Sequence, residues 1–470
     1  MCYYLYNYNK IRGAKLTSKK FTVNTNLVLS VSIISIIGCM LIKIPLYAGF
    51  FASIIFTALS MYTSGFKVRQ IFNTMISSIV EIKGLILVIL LIGATTTVWI
   101  SSGVIPTIMY YGFTYMNGVN FMLAAFLIMT VVSIFMGTAV GTISTVGIAL
   151  MGIGFGLGIP PEILIGVLVS GAFVADKISP LSGLLNLTMS TVKRNYLQII
   201  KSFSITLIPL IVITAIIYCI MGSEYTVNNY SSLEVYKEAI LNDINISPFL
   251  LLMPVLMVVL SLVGLKSTIT IGIGILCGGT FSIVLQKMSI IETIKSIMFG
   301  YSARTASTEL NSILVSGGVI SMIDVILIVI GSVVLVGLFE KSNVLGPIID
   351  KLIIKVNSKF QLILKTGIFS SLMTILTCDQ TVGIILPGKT MQNKYEEFSI
   401  DSVVLARTIS DTGTIIAPLM VWNVNSIIID SVTGVSALGY APYAVLCYLC
   451  PVITIIISWL AYRRKQKVIA

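Results

Sequence analysis

The chain has 470 residues, of which 56% are hydrophobic and only 10% charged. Soluble domains carry about 25% charged residues, so a soluble enzyme, a coiled coil and a disordered chain are all excluded, and an all-α polytopic membrane protein is predicted. The net charge is +12 and there is no histidine, which removes histidine metal ligands, histidine general bases and histidine proton relays.

Residues 1–26 form a basic tail holding Lys10, Arg12, Lys15, Lys19 and Lys20 without any acid. No small-residue cleavage site follows a short apolar core, so no removable signal peptide is expected. Apolar runs follow at 27–44, 45–62, 84–103, 120–138, 145–159, 162–176, 202–221, 247–265, 267–286, 318–339, 361–378, 402–430 and 441–462. Several are shorter than the ~20 residues of a full helical crossing. Residues 63–83 and 287–302 carry apolar residues at helical spacing among scattered charges. They read as amphipathic helices at the membrane interface, and a scaffold or homodimer contact fits them equally well.

The charge pattern sets an orientation. The tail 463–470 carries Arg463, Arg464, Lys465 and Lys467, so both termini are expected on the cytoplasmic side. Lys193, Arg194 and Lys201 mark an internal loop, as do Lys341, Lys351, Lys355 and Lys359. The linker 222–246 has Glu224, Glu234, Glu238 and Asp243 against Lys237 alone, and reads as external. Two transmembrane halves, 27–221 and 247–462, then cross an odd number of times each, and so run in opposite directions. That is the pattern of inverted-topology repeats. Basic residues confined to ends and short loops fit a lipid bilayer as partner and give no reason to invoke nucleic acid.

The repeat is visible in the residues. Thr145-Val-Gly-Ile-Ala-Leu-Met-Gly152 recurs as Thr381-Val-Gly-Ile-Ile-Leu-Pro-Gly388, with six of eight positions identical. At nearly the same offset Asp176 matches Asp411, Pro180 matches Pro418 and Asn186 matches Asn423. The repeated parts are the least membrane-like of the chain. Gly137-Thr-Ala-Val-Gly-Thr-Ile-Ser-Thr-Val-Gly147 and Cys378-Asp-Gln-Thr-Val-Gly383 interrupt apolar runs with glycines and hydroxyls. Ala175-Asp-Lys-Ile-Ser-Pro-Leu-Ser-Gly183 and Ile409-Ser-Asp-Thr-Gly-Thr414 add charge and proline. Backbone in hydrocarbon must satisfy its own hydrogen bonds, so such breaks persist only beside protein or water. A broken helix frees carbonyls at one half and N–H groups at the other. With serine, threonine and aspartate oxygens, those carbonyls make a hard-cation shell. Close packing through small residues explains the glycine–hydroxyl stretches equally simply.

Most of the eighteen acids fall in loops. Glu162, Asp324 and Asp430 fall at helix ends, and Glu309 in the polar stretch Arg304-Thr-Ala-Ser-Thr-Glu309. Asp176, Asp379 and Asp411 stand inside the interruptions, where a carboxylate costs ~2.5–3.5 kcal/mol at the centre of a bilayer. Local pairing, of Asp176 with neighbouring Lys177 and of Asp411 with Arg407 four residues earlier, would offset that cost. The seven cysteines lie mostly in apolar runs and read as small hydrophobes. Cys447 and Cys450 have CxxC spacing but no companion pair.

These segments resemble the NhaC-type sodium/proton antiporter family, some of whose relatives exchange organic acids or move amino acids. Gly137–Gly147, Gly171–Ser182, Asp379-Gln380 with Leu386-Pro-Gly388, Ala406–Thr414 and Trp422-Asn423 carry the resemblance in order along nearly the whole chain. It implies an ion-transporter-like fold: two inverted repeats with broken or re-entrant helices meeting near the bilayer midplane. By position it implies ion- or substrate-binding roles for Asp176, Ser179, Ser182, Asn186, Asp379, Asp411 and Thr412. Where such proteins usually continue with Asp-Thr-Thr-Asn, this chain has Gly183-Leu184-Leu185-Asn186. That trades a carboxylate and two hydroxyls for apolar room.

The expected function is a secondary sodium/proton antiporter of the cytoplasmic membrane. A buried aspartate binds either Na⁺ or H⁺, and that competition couples the two fluxes. Asp176 and Asp411 are the expected competing carboxylates, and possible Na⁺ ligands together with Asp379. Ser179, Ser182, Thr142, Thr145, Thr381, Thr412 and Asn423, with freed carbonyls, would complete the site. No cofactor is expected; Na⁺ and H⁺ are the transported ions. The alternative is a cation-coupled carrier of an amino acid or small carboxylate, with Leu184 and Leu185 lining its pocket. An enzyme would need Lys177 with Ser179, or Asp379 with Asp411, as catalytic groups, and neither pair sits in a matching motif. Sealed broken-helix sites also suit carriers better than channels.

Overall fold

The computed structural model describes residues 23–115, 119–225, 230–347 and 356–463. Most of the basic tails, along with Lys351 and Lys355, lies outside the described residues. The chain is built almost wholly of helices, with one antiparallel pair of two-residue strands, β1 (Tyr301–Ser302) and β2 (Val315–Ser316).

In chain order the first half contains α1 (Thr25–Leu41), α2 (Leu46–Thr63), α3 (Val68–Glu81), α4 (Lys83–Ser101), α5 (Val104–Tyr115) and α6 (Phe121–Met136). It continues with α7 (Ala139–Gly156), α8 (Pro161–Ala172), α9 (Ala175–Ile178), α10 (Gly183–Val192) and α11 (Tyr196–Gly222). The linker contains α12 (Tyr230–Asp243), and the second half contains α13 (Leu252–Leu262), α14 (Ser267–Val284), α15 (Ile290–Phe299), α16 (Thr308–Ile313) and α17 (Met322–Lys341). It ends with α18 (Lys359–Thr377), α19 (Gln380–Glu397), α20 (Ser402–Ile409), α21 (Val424–Thr433), α22 (Ala437–Tyr440) and α23 (Val445–Arg463). Among the described residues nine helical segments are long and apolar enough to cross a membrane, and α12 with α13 forms a further pair bent by 105°.

The thirteen apolar runs therefore do not become thirteen crossings. The run 145–159 fuses with the polar stretch before it into α7, because hydroxyl-bearing residues can continue a helix by bonding back to its carbonyls. The runs 162–176 and 402–430 extend through their polar breaks into the long segments Pro161–Val192 and Ser402–Thr433. The two amphipathic stretches form α3 and α15. Each packs on the bundle, α3 on α17 and α15 on α4. Their outer rows are apolar: Val68, Phe72 and Val80 on α3, and Ile290, Ile294 and Phe299 on α15, are all exposed.

Packing divides into two hydrophobic cores, and each draws on both halves of the chain. One gathers α5, α6, α8, α13 and α23 around Trp99, Phe126 and Phe173. The other gathers α2, α17, α18 and α20 around Phe50, Phe339 and Phe369. The polar interruptions are where the backbone passes between them. Val174 belongs to the first core and Leu185 to the second. Ile409 belongs to the second and Ile415 to the first. The two breaks thus traverse one seam in opposite directions.

Candidate functional site

The first break follows from local chemistry. Helix α8 ends at Ala172 with Phe173 as its cap, and a single turn, α9, carries Asp176 and Lys177. Pro180 cannot donate a backbone hydrogen bond, and the extended Ser179 stops that turn. Ser182 starts α10 by accepting from the Leu185 N–H at 3.4 Å. The same hydroxyl donates to Asp176 Oδ1 at 3.2 Å. Ser179 donates to the Ile134 carbonyl at 2.5 Å, tying the break to α6. Gly137 ends α6 with φ of 71° and abuts Leu181 so closely that a side chain there would collide; glycine alone tolerates both demands.

The second break is a π turn, Ser410–Thr414, directly after α20. Its extra residue rotates the chain beyond it relative to α20, and π turns recur at functional sites. Here it delivers Asp411 to the seam. A buried ion pair results: the Lys177 ammonium donates to Asp411 Oδ1, with both side chains fully buried. Thr454 of α23 donates to Asp411 Oδ2 at 2.5 Å. Lys177 also lies 3.5 Å from Cys450 Sγ and 5.4 Å from the centre of the Phe203 ring.

This pairing corrects the one expected from sequence. Neighbouring helical residues do not face each other, so Asp176 and Lys177 diverge. Lys177 crosses the seam to the other half, while among the described residues Asp176 keeps only the Ser182 bond. Arg407 does not reach Asp411, because the π turn breaks the four-residue spacing. Its Nη1 donates to the Ser202 carbonyl at 3.4 Å, and its Nε has no partner among the described residues.

The remaining expected residues divide by what they touch. Asp379 caps the start of α19, accepting from the Thr381 N–H at 3.0 Å and the Thr381 hydroxyl at 3.1 Å. Among the described residues no three acidic or thiol groups gather into a metal-holding cluster; Asp176, Asp379 and Asp411 do not form a three-carboxylate cation site. The hydroxyls of Thr142, Thr145 and Thr412 bond back to carbonyls of their own helices, those of Thr138, Gly141 and Thr408. Asn186 is exposed and braces the break by donating to the Pro180 and Ser182 carbonyls. Asn423 caps α21, accepting from the Asn425 N–H at 3.0 Å, and its buried amide nitrogen has no partner among the described residues. Leu185 is buried in the second core and Leu184 packs against it.

Two carbonyls of the second break each accept a side-chain hydrogen bond. Ser371 donates to the Thr412 carbonyl at 2.9 Å and Gln380 to the Thr414 carbonyl at 2.6 Å. Gln380 in turn accepts from Asn425. Thr454 escaped the sequence reading because it stands alone in an apolar run, and Ser371 because its run carries no motif; Gln380 lies in the quoted Asp379-Gln380 motif, but its bond to the Thr414 carbonyl has no sequence signal. A cavity of about 260 Å³ opens elsewhere, lined among others by Thr96, Ser316, Gly318, Ser321 and Thr433; neither Asp176 nor Asp411 borders it.

Broken apolar helices closing on a buried charge network define a membrane-embedded carrier. The chain belongs to the Na⁺/H⁺ antiporter family, which it matches over residues 171–462. It is 31% identical over 420 residues to the malate-2H⁺/Na⁺-lactate antiporter of Bacillus subtilis, covering 89% of this chain and 90% of that protein. It is 31% identical over 376 residues to the Na⁺/H⁺ antiporter NhaC of Alkalihalophilus pseudofirmus, covering 80% and 81%. It is 28% identical over 436 residues to the arginine/ornithine antiporter ArcD of Halobacterium salinarum, covering 92% and 90%.

Proposed function

We propose that this protein is a secondary antiporter of the cytoplasmic membrane that exchanges sodium for protons, with Asp176 as the carboxylate for which the two ions compete. The observation that carries this reading is the division of labour across the seam. Asp411 already has its charge met by Lys177 and a second oxygen bonded to Thr454. Asp176 has one weak hydroxyl bond and is 7% exposed, against 0% for Asp411. Lys177 and Asp411 cancel, so Asp176 leaves one negative charge in need of a monovalent cation. Na⁺ and H⁺ both satisfy it, and one carboxylate cannot hold both at once. Ser182 is the first additional oxygen ligand available to Na⁺, with Ser179 beside it.

Alternating access follows from the same pair. The Lys177–Asp411 contact clamps the first break to the second, and breaking it lets the two cores separate along the seam. The opposed directions in which the chain crosses that seam fit two inverted halves, and the basic residues of the two tails favour both termini on the cytoplasmic side. In proteoliposomes loaded with a pH-sensitive dye, added Na⁺ is expected to move protons in the absence of any organic solute. Asp176→Asn should abolish that movement while the protein stays monodisperse. Proton movement by Asp176→Asn at the wild-type rate would remove Asp176 from the mechanism. The second reading, a cation-coupled carrier of an organic acid or amino acid, is favoured by the apolar Leu184-Leu185 wall and by the names of two relatives.

A further inference from the structure

The cavity of about 260 Å³ lies outside the site described above, and its walls set what can fill it. Gly93, Thr96 and Met151 form its buried floor, and Ser312, Gly317 and Ser431 its exposed rim. Gly93 stands at the middle of α4, a helix long and apolar enough to cross a membrane. A Cβ on Gly93 would sit 2.7 Å from the Gly318 carbonyl oxygen, so the chain around Gly318 reaches that depth. Residues 314–321 are not helical. Non-helical backbone at such depth persists only inside protein or against a water-filled cavity. Protein does not cover Ser312 and Gly317, so water must. The volume is far above the ~10–15 Å³ that one water needs.

The outer wall is an addition to the second half. Residues 300–321 separate α15 from α17, whereas Ile82 alone separates α3 from α4. These four helices otherwise match, since α3 packs on α17 and α15 on α4. Ser316 fixes the wall to α4 by donating to the Thr97 hydroxyl at 2.8 Å. Asp243 of the linker accepts from the Ala306 N–H at 2.7 Å, so the cavity opens on the membrane face that carries the linker. Inward, it follows two helices that lead to the seam. Met151 lies about 9 Å along α7 from Thr145, and Ser431 about 12 Å along α21 from Asn423. The two inner ends meet, because α21 packs on the α7 turn Ile143–Gly147. Among the described residues no charged side chain lines the cavity. A cation can then pass without being trapped, as a path must bind weakly enough to release. The cavity stops short of Asp176 and Asp411, as a carrier closed toward its site requires.

We propose that this cavity is the water-filled vestibule through which the transported cation passes between the linker face and the seam, with residues 300–321 as its outer wall. This rests on the carrier reading above and adds the route to it. The test places Thr96→Cys in full-length protein in proteoliposomes. A membrane-impermeant trimethylammonium methanethiosulfonate is added to one face at a time, and labelling is counted above that of the native cysteines in the wild type. Glu238→Cys marks the linker face. Thr107→Cys, buried but outside the cavity, is the blank. Thr96→Cys should react at least tenfold faster than Thr107→Cys, and only from the face that labels Glu238→Cys. The attached cation should then slow sodium-driven proton movement at least fivefold against the same variant before labelling. If Thr96→Cys does not yield monodisperse protein, Ser431→Cys at the rim carries both readings. Reaction no faster than that of Thr107→Cys, labelling from the opposite face alone, or undiminished transport after labelling would each overturn the proposal. A wild type that moves no protons in response to Na⁺ removes the sodium/proton reading, and the rate contrast then decides the vestibule by itself.

Discussion

Removing one member of the Lys177–Asp411 pair should damage the protein far more than removing both. Each side chain is fully buried and drawn from a different half of the chain. Deleting one partner of a buried pair leaves an uncompensated charge and costs about 3–5 kcal/mol. Lys177→Met or Asp411→Asn alone should therefore lose that much. Two independent losses would sum to about 6–10 kcal/mol, comparable to the whole stability of many domains. The double variant leaves no orphan charge, and its asparagine can still accept from Thr454. It should cost only about 1–3 kcal/mol, the scale of altered buried hydrogen bonds. Equilibrium unfolding in mixed micelles, followed through Trp99, Trp422 and Trp459, gives the four corners of the cycle. Losses that add to within about 0.5 kcal/mol would mean the two residues do not interact, and would refute both the clamp and the charge count built on it.

Other consequences are narrower. Thr454→Val removes a hydrogen bond to a charged oxygen and should cost about 1.5–3 kcal/mol in the same unfolding assay. Ser182→Ala deletes the α10 cap, worth about 1 kcal/mol, together with the contact to Asp176; the half-saturating Na⁺ concentration for proton movement should rise. Asn186→Ala touches an exposed side chain and should leave that concentration within about twofold, since surface changes stay near ±0.5 kcal/mol. Glu292, at the start of α15, has its carboxyl held below the usual range by the Ser289 backbone N–H and hydroxyl. A lowered folded value stabilises above the unfolded pKa and is lost as pH falls. The protection of amides in 290–299 against hydrogen exchange, taken relative to the intrinsic rate at each pH, should therefore fall as pH drops below about 4.3, the free glutamate value, and Glu292→Gln should remove that pH dependence.

The residue pattern by itself determined the all-helical membrane class, the polar interruptions, and the choice of Asp176 and Asp411 as acids that needed explaining. These properties are local. Run length and composition decide whether a helix can sit in lipid, and glycine, proline and hydroxyls announce where it breaks. Sequence spacing did not determine partners. It paired Asp176 with Lys177 and Asp411 with Arg407, because adjacency is all that a linear chain displays. Only the tertiary structure decided that Lys177 belongs to Asp411, 234 positions away, since a one-residue π insertion and the packing of two cores set which side chains meet. It likewise decided that Thr454 completes the pair, that Asn186 is exposed, and that Ser371 and Gln380 bond the Thr412 and Thr414 carbonyls. Burial makes those choices binding: a buried donor or acceptor left unmatched costs free energy, so partners are chosen across the fold and not along the chain.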